Sequence, residues 1–158
     1  PYSLSQTLVG FIFIVYIVGT FSSTWMGMLA DQYGKRKLLL MSLFIVLLGA
    51  CITLNSSLWL KIIGIAIFTY GFFAGHSIAS GWVGQLATHD KAQAASLYLF
   101  FYYAGSSIGG TASGTFFSSF GWLGVVSMIV VLAIISIIIS IRLGTISTRR
   151  IQHSPHRL

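Results

Sequence analysis

An all-α, polytopic transmembrane helix bundle is the fold class this sequence predicts, and three observations predict it. Hydrophobic residues make up 56% of the 158 residues and charged ones only 7%, with a mean hydropathy of +0.89. A water-facing domain carries roughly 25% charged residues, so this chain cannot cover one with its own polar side chains. The apolar residues also fall into runs near the length needed to cross a hydrocarbon core, about 20 residues. Short polar breaks separate those runs, and the basic residues sit at the ends of the runs.

Five spans follow, over about 4–29, 38–54, 58–86, 92–117 and 123–141, with a basic cytoplasmic tail over 143–158. The first span contains Phe11 to Gly19 and carries only uncharged polar residues, among them Tyr16, Thr20 and Ser23. The second is rich in Leu, Ile and Val, and Asn55-Ser-Ser57 ends it as a turn. The third is interrupted by glycines and holds His76 near its middle. Thr88 to Lys91 form the next polar break, with Thr88 or Asp90 available as an N-cap. The fourth contains two Gly-x-x-x-Gly pairs, Gly105/Gly109 and Gly110/Gly114, whose lack of side chains lets a neighbouring helix approach closely. Ser118 to Trp122 read as a turn, and the fifth span is almost wholly Ile, Val, Leu and Ser. Pro1, in place of Met, and the absence of a signal peptide suggest a segment of something longer.

Alternating spans put Lys35, Arg36, Lys37, Lys91, Arg142, Arg149, Arg150 and Arg157 on one side and leave Lys61 on the other. The positive-inside bias makes the first side cytoplasmic, with the N-terminus outside and the C-terminus inside. The net charge of +7 is therefore explained by topology and anionic lipid headgroups, and no nucleic-acid partner is expected. Lone Cys51 excludes an internal disulfide.

Between the first two runs lies Gly27-x-x-x-Asp31-x-x-Gly34-Lys35-Arg36-Lys37. This pattern resembles the signature loop of the major facilitator superfamily of secondary transporters. Gly71-Phe-Phe-Ala-Gly75-His76, Ala94 to Tyr98 and Tyr102 to Ser106 narrow the resemblance to bacterial drug and sugar efflux transporters of the inner membrane, often labelled arabinose-efflux-like. The resemblance implies twelve helices in two halves, with these five as the eighth to twelfth and the N-terminal half missing. It also implies a small organic solute as substrate, alternating access, and a gating role for Gly27, Asp31, Gly34, Lys35, Arg36 and Lys37. A non-transporting anchor or assembly subunit is the alternative, although an anchor has no need of an acid at that edge.

No enzyme constellation is present: Asp31 and Asp90 stand at span edges, and no Gly-x-Ser-x-Gly elbow occurs. No histidine pair has metal-ligand spacing, so neither metal nor cofactor is expected. His76 is the one ionisable side chain deep in a span, a position that often marks a pathway, and it makes protons a candidate coupling ion. A neutral imidazole bonded to backbone, Ser77 or Ser80 is the bland reading. Tyr70 and Ser77 share about one helical face with His76, and Tyr16, Thr20 and Ser23 form a similar stripe on the first span. By resemblance both stripes line the transport cavity. Against that, such hydroxyls also bond back to their own helices. The glycines of the fourth span have two readings as well: a sliding contact between transporter halves, or ordinary packing within this one.

Overall fold

A computed structural model describes Gly10 and residues 15–152, with side chains as far as Arg142. Residues 4–9 and 11–14 of the first expected span, and residues 153–158 of the expected tail, lie outside the described residues. Among the described residues four helices stand out: α1 Val15–Tyr33, α2 Lys35–Ile52, α3 Leu58–Leu86 and α4 Lys91–Gln152. The fold is all-α, but the expectation of five transmembrane spans is overturned. Among the described residues only α3 and α4 are long and apolar enough to cross a membrane. One cause is polarity: α1 carries a run of Ser and Thr, and α2 opens on Lys35-Arg36-Lys37. The other lies at Ser118 to Trp122, where the expected turn narrows to the single residue Gly121 and the fourth and fifth expected spans become the two arms of one element, α4. Ser118 donates its hydroxyl back to the Thr115 carbonyl and Ser113 to that of Gly110, so both are satisfied within the helical stretch that leads up to Gly121.

α2 and α3 form the tightest pair. A Cβ at Gly49 would meet the backbone of Phe68, one at Gly64 the carbonyl of Gly49, and one at Gly71 the carbonyl of Ser42 at 2.8 Å. Bare backbone on both faces lets the helices touch, and the pairings 49 with 68 and 42 with 71 make them antiparallel. α1 packs beside α3 in the same direction, joined by hydroxyl-to-carbonyl hydrogen bonds. Ser22 donates to Tyr70 O at 2.5 Å, Ser23 to Phe73 O at 3.4 Å, and Ser77 returns one to Ser23 O at 3.0 Å. Met26, Ala30, Leu38, Ala74 and Ile78 fill the space between the three helices.

A straight 62-residue helix would be about 93 Å long, about three times a hydrocarbon core. α4 avoids that at Gly121, whose φ of 63° and ψ of −154° lie outside the helical region. Such angles are essentially restricted to glycine. Before the kink, Tyr98 meets His76 and Tyr102 meets Phe72, so this arm runs antiparallel to α3. After it, Trp122 meets Thr53 and Ile141 meets Arg36, so the second arm runs antiparallel to α2. The two arms therefore run in opposite directions, and the chain reverses at one residue.

Candidate functional site

Two groups of polar side chains stand out, one at the basic end of the bundle and one midway along α3. At the basic end the expected loop is shorter than its sequence suggests. Asp31 still belongs to α1, Lys35 already belongs to α2, and Gly34 alone, at φ 98°, makes the turn. A positive φ there favours glycine. Lys35 Nζ lies 3.2 Å from Asp31, with its side chain only 14% exposed while Asp31 is 61% exposed. A Cβ at Gly81 of α3 would come within 3.1 Å of that ammonium, so Lys35 lies across α3. Arg36 Nη2 donates to the carbonyl of Ile141 at 3.1 Å. Two consecutive basic residues thus bind α2 to α1, α3 and the far arm of α4. Gly27 faces Ser77 Oγ at 3.4 Å from its would-be Cβ, while Lys37 is exposed.

Midway along the bundle a cavity of about 490 Å³ opens between α2, α3 and both arms of α4. Its wall is apolar apart from His76, Tyr98, Tyr102, Ser136 and Ser140. Tyr98 Oη stands 2.9 Å from His76 Nδ1 and also donates to the His76 carbonyl at 3.2 Å. Tyr102 lies ring to ring with the imidazole, centroids 4.3 Å apart at 40°. Phe72 sits against Tyr102 with centroids 6.5 Å apart.

His76 is the one residue of the expected cavity-lining stripes that belongs to this wall. Ser23 and Ser77 join α1 to α3 instead, and Tyr70 supplies the carbonyl that Ser22 uses. Thr20 bonds back to the Tyr16 carbonyl, and Ser80 is exposed. Tyr16 is exposed as well, with its ring edge-on to Phe73 at 6.0 Å. Gly105, Gly109, Gly110 and Gly114 have open space where a Cβ would stand, so no described helix packs on them. The partners of His76 escaped the sequence reading, which used Tyr98 and Tyr102 only for the resemblance. Their spacing of four residues, one helical face, was the available signal. Among the described residues, no group of His, Cys, Asp and Glu is placed to hold a metal.

A profile of the Major Facilitator Superfamily matches residues 1–156. The chain is 56% identical over 140 residues to the uncharacterized MFS-type transporter YybF of Bacillus subtilis strain 168, an alignment covering 89% of this chain and 35% of that relative. It is 44% identical over 143 residues to the inner membrane transport protein YnfM of Escherichia coli K12, covering 90% of this chain and 34% of the relative. An uncharacterized transporter of Buchnera aphidicola from Schizaphis graminum is 43% identical over 143 residues, at 90% and 35% coverage. The chain thus spans about 35% of the length of the curated relatives it matches. No solved structure matches it.

Proposed function

The chain belongs to the major facilitator superfamily of non-catalytic membrane transporters, and from that premise we propose that it forms part of an efflux transporter for a small, largely apolar organic solute. The relatives are longer, so the transporting unit in this reading includes helices beyond those described. The observation that carries the reading is the 490 Å³ cavity, whose few polar groups include His76 with Tyr98 and Tyr102 against it. Ligand sites are typically apolar with a small number of placed polar groups, which is the composition found here. The paired Asp31 and Lys35, with Arg36 on α4, make the basic end a candidate gate. In this reading the gate faces the cytoplasm, where the basic residues belong by the positive-inside bias. Protons are the coupling ion we assign, exchanged at His76, the imidazole of the cavity wall, a side-chain type that ordinarily changes charge in the physiological pH range.

The test uses the full-length protein. Deleting its gene should sensitise cells to at least one apolar solute in a growth panel, and everted vesicles should accumulate that solute. His76→Gln should abolish the accumulation while leaving membrane levels of the protein unchanged. Full accumulation by His76→Gln, or an insensitive deletion across the panel, would remove the reading.

A further inference from the structure

We propose that the cavity presents a hydrogen-bond acceptor at His76 Nε2, and that it takes apolar molecules carrying an N–H donor in preference to carboxylates. The argument rests on the number of protons available to two contacts. Tyr98 has one hydroxyl proton, yet its oxygen is close to two groups, His76 Nδ1 at 2.9 Å and the His76 carbonyl at 3.2 Å. A carbonyl only accepts, so for both contacts to be hydrogen bonds the Tyr98 proton lies on that one. Nδ1 must then be the donor of the shorter one, with the Tyr98 oxygen accepting. Both bonds are satisfied at once only in the Nδ1–H tautomer. In a neutral imidazole one nitrogen donates and the other accepts, so Nε2 is left with its lone pair.

The surroundings add to this. Tyr102 lies tilted against the imidazole, and Phe72 stands against Tyr102, so aromatic rings border the imidazole. Aromatic faces attract the positive end of an amine. Ser136 donates its proton back to the Leu132 carbonyl at 2.8 Å, which leaves its oxygen as a further acceptor on the wall. The Tyr102 hydroxyl donates or accepts equally well and does not discriminate. A carboxylate only accepts, so it would meet the Nε2 lone pair with no proton between them. A site organised for one hydrogen-bonding pattern strongly rejects ligands lacking it, because its buried polar atoms are left unpaired. Tyr98 is accordingly a positioning residue: it acts on the ligand through the tautomer of His76.

This inference rests on the reading of the cavity as a solute site, and its test is independent of flux. The full-length protein is labelled with 15N-histidine and placed in lipid nanodiscs, with the His76 signals assigned by their loss in His76→Gln. The expected spectrum has a protonated Nδ1 and an unprotonated Nε2. Protonated Nε2 in the wild type would overturn the proposal. Tyr98→Phe removes the group that holds the tautomer and should shift the population toward Nε2–H; an unchanged spectrum in that variant would also overturn it. If Tyr98→Phe does not fold, titration of the wild type still decides. 2-Phenylethylamine should move the Nε2 resonance saturably and 3-phenylpropionate should not, and the reverse order, or no response to either, rejects the ligand class. A transporter with protonated Nε2 loses this inference alone, whereas an Nδ1–H protein that moves no solute loses the proposed function alone.

Discussion

The glycines of α3 and those of the first arm of α4 are the same residue put to opposite uses. Gly64 and Gly71 of α3 press backbone to backbone on α2, together with Gly49 from the other side. Gly105, Gly109, Gly110 and Gly114 lie in the more obvious sequence motif, yet each faces open space among the described residues. The difference teaches that a Gly-x-x-x-Gly spacing shows where a helix can be approached, not that an approach is made. A contact needs a second helix with its own bare backbone at the same level, as Gly49 supplies for Gly64.

Substitution at one member of each set should separate them most widely. Leu at Gly71 would drive a side chain into Ser42 O and Val46 N, backbone atoms that cannot swing aside. Overpacking of this kind costs about 1–3 kcal/mol and occasionally more. Gly71→Leu should therefore sit at or above the top of that range, read as loss of the monodisperse protein in detergent. Gly109→Leu should leave the bundle within about 0.5 kcal/mol of wild type, as surface substitutions do. Comparable losses in the two variants would erase the contrast.

Gly121 makes a different demand on the same residue type, since its dihedral angles, and not its neighbours, require it. Gly121→Ala should cost about 1–3 kcal/mol through backbone strain. Because the second arm is pinned by Trp122 Nε1 donating to Thr53 Oγ1 at 2.9 Å, the same variant should loosen that end. Tryptophan fluorescence during thermal unfolding checks both, and an unchanged transition would show that α4 can reverse without this glycine.

Smaller effects sharpen the contrast between packing and polar contacts. Ser22→Ala removes the α1 hydroxyl bonded to Tyr70 O, and hydrogen bonds between membrane helices average about 0.6 kcal/mol. An effect beyond about 2 kcal/mol in steric-trapping or unfolding assays would mean that this bond, more than the bare-backbone contacts, holds α1 in place. Asp31→Asn comes last. Its exposed pair with Lys35 should contribute at most about 1 kcal/mol. Stability should barely change, while cysteine accessibility across the basic end reports whether the pair also acts as a gate.

The chain itself announced much of this. Apolar runs with few charges fixed the class of fold, since nothing else lets a chain so poor in polar side chains meet its surroundings. Gly34 was legible as a turn and His76 as the unusual residue of its helix, because a flexible residue beside a basic cluster and an imidazole in an apolar run are both local facts. The partners of His76 were not legible. Tyr98 is 22 residues away, and its hydroxyl reaches His76 only because the first arm of α4 lies antiparallel to α3. Nor did the sequence distinguish Ser23 and Ser77, which cross between helices, from Thr20, which bonds its own. A hydroxyl finds whichever carbonyl lies within reach, and that depends on which face of one helix meets another. The same holds for Ser118, read as part of a turn yet bonded within the helical stretch that leads up to the kink at Gly121. Composition and local pattern thus determine that helices form and what solvent they suit. The pairing of faces between helices, where the distances of the cavity and the use of each glycine are set, was decided only by the tertiary structure.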